Sequence, residues 1–301
     1  MIQENMTGKS INRLEPASRR RRFGNPGNPG KILFLMFAYA VLFCWLLLAV
    51  TPFVWTFLTS IKQVVDAFSI PPVWTFTPTF EAYQSLWIEE GFVKYLINSV
   101  IVSVGTVTIS ISIGCLAGYA LSRYNRPAGF WILFAAFVFR ALPRMTFLLP
   151  FFFFARITGT FDTHILLILV LVAINQPFTI WMLRSFFQEI PESLEESAMI
   201  DGCTRFQAFW FVILPVMGPG VVTASIFSLL LAYNEYLIPL TLTATNAVPM
   251  PVAIAQFGAE DLRYWSISAA GAISIAAPIA ILILFLQRYL IKGLTAGAVK
   301  G

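Results

Sequence analysis

Long apolar stretches alternate with short polar segments along most of this chain. Six stretches approach or exceed the roughly 20 residues that an apolar helix needs to span a bilayer, and they cover residues 32–60, 95–121, 130–154, 164–187, 216–240 and 265–290. The pattern predicts an all-α, polytopic membrane protein with six transmembrane helices. Residues 188–215 form a polar loop between the fourth and fifth helices, and residues 1–30 and 291–301 are predicted to be terminal tails.

Within the polar loop, the order of residues predicts two short helices joined by a sharp turn. Pro191 suits a first helical turn, and carboxylates near that turn are stabilised by the helix dipole: Glu192, Glu195 and Glu196. Gly202 can adopt the left-handed conformation that ends a helix. Thr204 and Gln207 have the spacing of a capping box that opens a second helix.

The composition supports a membrane location. The 301 residues are 58% hydrophobic and 12% charged, with a mean hydropathy of +0.77, whereas a soluble domain carries about 25% charged residues. The first apolar stretch is too long for a signal peptide and no small-residue cleavage site follows it, so we expect it to be retained. The three cysteines show no disulfide framework and no CxxC metal pattern.

The distribution of Lys and Arg predicts the orientation, because cytoplasmic loops are enriched in both. With both termini in the cytoplasm, four basic residues lie outside: Lys62, Lys94, Arg156 and Arg263. Fourteen lie inside: Lys9, Arg13, Arg19, Arg20, Arg21, Arg22, Lys31, Arg123, Arg126, Arg184, Arg205, Arg288, Lys292 and Lys300. This bias places the polar loop in the cytoplasm. It also explains the net charge of +5 without nucleic acid as a partner.

Two arginines lie within the predicted third helix. Arg140 and Arg144 are one turn apart beside Pro143, so both are expected on one face of a kinked helix. Charges at that depth are costly and usually face a polar interior. One interpretation is a translocation path whose lining contacts substrate, and the other is a buried ion pair with Glu235 of the fifth helix. The residues favour neither, and the two interpretations are compatible.

Polar residues interrupt two further predicted helices. Asn175 and Gln176 precede Pro177, which is predicted to break the fourth helix near its middle and free backbone carbonyls. Asn234 adjoins Glu235 in the fifth helix. These side chains are candidates for the substrate path, and a simple kink at Pro177 is the alternative.

Two smaller signals concern packing. Gly114 and Gly118 have the spacing of small residues that lets two helices approach closely. His164, the single histidine, is expected to hydrogen-bond at the start of the fourth helix rather than to bind a metal, because the sequence offers it no companion ligands.

The sequence lacks the features of an enzyme. It contains no recognisable grouping of nucleophile, base and oxyanion donor, and no metal-ligand cluster. Residues 7–10, TGKS, mimic the end of a phosphate-binding loop, but Gln3 stands where the first glycine belongs and no strand precedes the segment. We expect no cofactor in this chain and expect any ATP and Mg²⁺ to be bound by partner subunits.

The polar loop resembles the EAA loop of permease subunits in binding-protein-dependent ABC importers, in which E-A-A is followed by D-G and then by L-P. Here the pattern falls on Glu196-Ser197-Ala198, Asp201-Gly202 and Leu214-Pro215, with Ser197 in the place of the first alanine. Three further segments are similar to the carbohydrate subgroup, in particular to the second permease of maltose-type systems: PPVWTFTPTFEAY at 71–83, FRALPRMTFLLP at 139–150 and QRYLIKGLTAGAVKG at 287–301.

This resemblance implies a type I importer permease in the plasma or inner membrane of a bacterium or archaeon. The implied partners are a homologous second permease, two copies of an ATPase subunit, and an extracytoplasmic binding protein that delivers a sugar or sugar derivative. In this family the short helix of the loop docks into a cleft of an ATPase subunit. The coupling residues implied here are Glu195, Glu196, Ser197, Ala198, Asp201 and Gly202.

Two other classes of protein are alternatives to an importer permease. A stand-alone secondary transporter or channel for a small polar solute is the main alternative, although the intramembrane charges are few and no repeat of broken helices is visible. A membrane-embedded enzyme is disfavoured by the scarcity of His and Asp in the predicted helices.

Overall fold

The computed structural model of the protein describes residues 29–124, 127–257 and 264–296. In those residues the regular secondary structure is helical, which confirms the predicted all-α class. Short π-helical turns follow α3 at Ser85–Glu89 and α9 at Phe209–Ile213. In chain order the helices are α1 (Pro29–Ser60), α2 (Val64–Ala67), α3 (Glu81–Gln84), α4 (Val93–Arg123), α5 (Pro127–Ala141), α6 (Met145–Ile157), α7 (His164–Glu189), α8 (Ser193–Ile200), α9 (Arg205–Ala208), α10 (Leu214–Val216), α11 (Gly218–Tyr233), α12 (Leu237–Leu242), α13 (Met250–Phe257) and α14 (Tyr264–Ala296).

The chain consists of two compact units, and the boundary between them, Phe53 to Val54, lies inside α1. The described part of the first unit is one continuous helix, in which the Thr51 hydroxyl donates to the Leu47 carbonyl at 2.6 Å. The second unit contains every other helix. Most of the predicted N-terminal tail and residues 297–301 of the predicted C-terminal tail lie outside the described residues.

Four of the described helices are long and apolar enough to cross a membrane: Ile32–Ser60, Val93–Arg123, His164–Glu189 and Trp265–Gln287. Two bent pairs pass the same test together. Pro127–Ala141 meets Met145–Ile157 at 91°, and Arg205–Val216 meets Gly218–Tyr233 at 76°. The described chain therefore holds four candidate spans, or up to six if each bent pair is one span. Six is the number that the sequence predicts.

The predicted third helix, residues 130–154, is not a single kinked rod. It is the pair α5 and α6, which turns through 91° around Pro143. Proline lacks an N–H and disfavours helical geometry in the residue before it, so α5 ends at Ala141. Arg140 therefore lies in the last turn of α5, while Arg144 is the N-cap of α6.

The structure also differs from the prediction at Pro177 and in the extent of the fifth and sixth helices. The predicted break at Pro177 is wrong, because α7 is continuous from His164 to Glu189. The predicted fifth helix, 216–240, instead ends at Tyr233, where the Asn234 side chain caps it by donating to the Leu230 carbonyl at 2.9 Å. The predicted sixth helix continues beyond residue 290 as far as Ala296.

Helices α4 and α7 form the most extensive helix contact of the second unit, and small residues on α4 allow their close approach. A Cβ atom at Gly114 would lie 2.8 Å from Leu183 Cδ1, and one at Gly118 would lie 3.0 Å from the backbone nitrogen of Arg184. The prediction of close approach at these glycines is confirmed, and the approach is within the chain. His164 begins α7, and its Nε2 lies 2.8 Å from Asn98 Oδ1 of α4, as predicted for a helix-start residue.

Candidate functional site

The polar loop folds as an elbow of two short helices, α8 and α9, after the end of α7. Helix α8 starts at Ser193 with Glu192 as its N-cap, and Glu195 and Glu196 lie in its first turn, where the helix dipole stabilises carboxylates. Helix α9 starts after Thr204, whose hydroxyl accepts from the Gln207 backbone N–H at 3.3 Å. The Gln207 side chain accepts from the Thr204 N–H at 2.8 Å, so the predicted capping box is confirmed.

The turn between α8 and α9 is built on Gly202. Its φ of 93° is in the left-handed region, as predicted. The Gly202 N–H donates to the Met199 carbonyl at 3.1 Å, and the Cys203 N–H donates to the Ala198 carbonyl at 3.0 Å. These two bonds form a Schellman motif, which satisfies the last carbonyls of α8 and fixes the direction in which the chain leaves.

The inner face of α8 is anchored to the membrane helices through Glu195. This side chain is buried, accepts from the Tyr119 hydroxyl at 2.5 Å, and forms an ion pair with Arg123 at 3.0 Å. The same guanidinium donates to the Phe187 carbonyl at 3.3 Å and to the Ile190 carbonyl at 3.2 Å. Arg123 thus joins the end of α4, the end of α7 and the start of α8.

The outer face of α8 carries exposed side chains of mixed character. Glu196, Ser197 and Asp201 are exposed, and Ile200 is 85% exposed despite being aliphatic. Ala198, in contrast, is buried within this chain. Among the residues predicted for coupling, the structure therefore separates an outward set from an inward set formed by Ala198 and the anchored Glu195.

The intramembrane arginines reach different partners. Arg144 is ion-paired with Glu235, a buried carboxylate between α11 and α12. Arg140 donates through Nη1 to the Ile174 carbonyl at 3.2 Å and lies 3.5 Å from Asn175 Oδ1. The ion pair considered from the sequence is therefore present at Arg144 and absent at Arg140 among the described residues.

Of the other residues predicted for the substrate path, only some lie beside Arg140 and Arg144. Asn175 is buried beside Arg140. Gln176 instead faces α4, where its Nε2 donates to the Ser110 carbonyl at 3.2 Å. Asn234 points away to cap α11. A cavity of about 190 Å³ lies next to the two arginines, with Phe139, Phe147, Phe151 and Ile174 among its lining residues.

One buried carboxylate outside the predicted set of site residues joins two loops. It lies between α6 and α7 and binds the loop between α12 and α13. Asp162, at φ 60°, accepts hydrogen bonds from the backbone N–H groups of four successive residues: Ala244, Thr245, Asn246 and Ala247. Burial alone would raise the pKa of Asp162, but these four bonds outweigh it and hold the pKa well below its usual range. No local signal distinguishes Asp162, because its donors lie more than 80 residues further along the chain.

Arg123 and Tyr119 were also not singled out as site residues from the sequence. Their positions at the cytoplasmic end of a predicted span, facing a loop rich in glutamate, are the signal that was available. Within the described residues, no group of three or more His, Cys, Asp or Glu side chains is placed to hold a metal ion.

Comparison with known proteins places these features in context. Residues 110–296 match the family described as the binding-protein-dependent transport system inner membrane component. The chain is 39% identical over 259 residues to the trehalose transport system permease protein SugB of Mycobacterium tuberculosis, covering 84% of this chain and 93% of that protein. It is 34% identical over 252 residues to the sulfoquinovosyl glycerol transport system permease protein SmoH of Agrobacterium fabrum, covering 83% and 88%.

A similar fold occurs in a crystal structure of a bacterial ABC transporter that imports the acidic polysaccharide alginate. The TM-score is 0.74 at 19% sequence identity, over 88% of this chain and 99% of the compared chain. The fold is thus that of a type I ABC importer permease, and the stand-alone transporter is set aside in favour of a subunit of such a system. The chain belongs to the binding-protein-dependent transport system inner membrane component family and is a multi-pass inner membrane protein.

Proposed function

We propose that this chain is one of the two permease subunits of an ABC importer for a sugar or sugar derivative. It forms half of the translocation path and receives substrate from an extracytoplasmic binding protein. A homologous permease supplies the other half of the path. Two copies of an ATPase subunit bind the ATP and Mg²⁺, so this chain holds no cofactor of its own. Both termini and the elbow lie in the cytoplasm.

The observation that carries the proposal is the two-sided construction of α8. Its outer face presents Glu196, Ser197 and the aliphatic Ile200 to a partner. Its inner face is tied to α4 and α7 through Glu195 and Arg123. A push on the outer face is therefore passed to the membrane helices as a movement of a connected unit. This is what a subunit needs if the energy of ATP reaches it through another protein.

The sugar class is supported by relatives that differ in the charge of their substrates. Trehalose is a neutral disaccharide, whereas sulfoquinovosyl glycerol carries a sulfonate, and both names belong to permeases similar over more than four fifths of this chain. The common element is a glycoside. We therefore assign a sugar or sugar derivative as the substrate class.

Reconstitution tests the proposal. The chain is placed in liposomes alone, and in a second preparation with its partner permease, ATPase subunits and binding protein. Uptake of radiolabelled sugar is measured with and without ATP. Uptake by the full assembly only, and only with ATP, is expected. Transport by the lone chain that ignores ATP contradicts the proposal.

A further inference from the structure

Arg140 is a cation in the membrane-spanning part of the protein without a matching carboxylate in the described parts of the chain. Its neighbour Arg144 is paired with Glu235, so those two charges compensate each other. The three side chains together carry one net positive charge. An uncompensated charge at membrane depth is costly, and such charges are rare except where they serve function.

Among the described residues, hydrogen bonds reach one nitrogen of the Arg140 guanidinium. Nη1 reaches the Ile174 carbonyl and Asn175 Oδ1, and the Phe178 ring covers one face with its centroid 5.3 Å from Cζ. A guanidinium has five N–H donors. Those on Nε and Nη2 have no hydrogen-bond partner among the residues that the structure describes. They form a planar fork that matches the two oxygens of a carboxylate or similar oxyanion.

A structural role explains part of this arrangement. Pro177 has no N–H, so the helix turn before it contains carbonyls with weakened or missing partners. The bond from Arg140 to Ile174 supports that turn, which helps α7 to continue through the proline. This role uses Nη1 alone, and an uncharged donor would fill it at a lower cost in desolvation. It gives no reason for the remaining donors or for the charge.

The adjoining cavity has the composition of a ligand site. Three phenylalanines, Phe139, Phe147 and Phe151, line it together with the two arginines. Ligand pockets are mainly apolar and aromatic with a few polar groups that orient the ligand. Its volume of about 190 Å³ is below the range of roughly 300–1,000 Å³ for complete ligand pockets. That size is expected of a half-site that a second permease completes.

We propose that Arg140 forms an anion subsite in the translocation path, and that the transported sugar carries a carboxylate or sulfonate group that this guanidinium neutralises. The inference rests on the proposed function, because it takes the cavity to be part of a sugar path. It goes further by naming the charge of the substrate and the residue that recognises it.

Saturation-transfer NMR on the assembled transporter in lipid nanodiscs tests the inference. The probes are methyl glucuronide and methyl glucoside. They differ only at C6, which belongs to a carboxylate in the first and to a hydroxymethyl group in the second. The glucuronide is expected to bind about tenfold more tightly, as for one charge-assisted hydrogen bond. Arg140→Gln is expected to abolish this preference, and Arg140→Lys to retain part of it because the charge remains. Arg156→Gln is the matched control, since Arg156 lies in the same helix pair and its guanidinium rests on the Phe152 and Phe161 rings.

Equal binding of the two probes by the wild-type assembly overturns the inference, since it means that the Arg140 charge is neutralised in another way. An unchanged preference in Arg140→Gln also overturns it. The wild-type comparison and the lysine variant decide the question even if Arg140→Gln fails to assemble. ATP-dependent uptake by the same purified assembly, reconstituted in liposomes, separates the two proposals. If uptake is present and the preference is absent, only the anion subsite fails, whereas absence of ATP-dependent uptake counts against the proposed function itself.

Discussion

Arg123 Nε donates to Glu195 Oε2 at 3.0 Å, and this contact ties the last turn of α4 to the first turn of α8. The two residues are 72 positions apart, and their side chains are only 11% and 8% exposed. Because the same guanidinium also reaches two carbonyls at the end of α7, α8 is connected to both helices of the α4–α7 pair. A force on α8 therefore acts on that pair.

Breaking this ion pair is expected to uncouple ATP hydrolysis from transport. Removing one partner of a buried pair leaves an uncompensated charge and costs about 3–5 kcal/mol. Glu195→Met and Arg123→Met are each expected to lower the melting temperature of the assembly and to raise the ATP consumed per sugar transported. The double variant is expected to be more stable than either single variant, because apolar replacement of both partners is often neutral. Strictly additive losses in this cycle would show that the two side chains do not interact.

Gly202→Asp is expected to impair coupling while leaving membrane insertion intact. At φ 93° a side chain is strained, and left-handed geometry costs roughly 1–2 kcal/mol for ordinary residues. No heavy atom lies within 4 Å of the added Cβ, so the effect comes from the backbone and the added charge. Gly202→Asn should be milder, because Asn strains the backbone about as much as Asp but adds no charge. Gly218→Ala is the control, because that site is equally open and has no positive φ. Normal uptake in Gly202→Asp would contradict the role given to the turn.

Gly118→Ala is expected to destabilise the protein more than Gly105→Ala. The new methyl group at Gly118 meets the backbone nitrogen of Arg184 at 3.0 Å, and α7 cannot easily withdraw. At Gly105 it meets the terminal Ile168 Cδ1 at 2.6 Å, which can rotate away. Overpacking a tight contact costs about 1–3 kcal/mol. Thermal unfolding in detergent measures both variants, and a reversed order would show that α4 and α7 are less closely held than described.

Asp162→Asn is expected to lower stability in a pH-dependent manner. The native pKa of Asp162 is depressed by four backbone N–H donors, so its carboxylate stabilises the folded state above the unfolded pKa of about 4. That contribution is lost as the pH falls from there toward the native pKa. The difference in melting temperature between wild type and variant should be constant from pH 7 to about pH 5 and should narrow below about pH 4. A difference that does not change with pH would show that the charge is unimportant.

The elbow could be predicted from the sequence because its signals are local. Gly202 ends α8, and Thr204 with Gln207 opens α9, all within a few residues. A kink beside Pro143 was predicted, but the division into two helices at 91° was not, because that angle depends on packing and not on the proline alone. The error at Pro177 has the opposite cause. The turn before it is supported by Arg140 from another helix, a contact that the local sequence cannot reveal.

The contacts of Glu195 and Asp162 could not be predicted from the sequence for the same reason. Glu195 was expected among the coupling residues, yet which face of α8 it occupies depends on Arg123, which is far away in the chain. Asp162 meets residues 244–247, more than 80 positions further on. Contacts of this kind set which charges are buried and which remain exposed to a partner.

We propose that the outer face of α8 receives work from an ATPase subunit, and site-specific photo-cross-linking detects the contact that this requires. A benzophenone amino acid replaces Ile200 in one variant and Ile157 in another, since both isoleucines are 85% exposed. Ile157 ends α6, on the side assigned as extracytoplasmic. In the assembled transporter, the variant at position 200 is expected to cross-link to the ATPase subunit, and the variant at position 157 is not. Absence of the cross-link from position 200, or equal cross-linking from both positions, would show that α8 does not dock on the ATPase subunit.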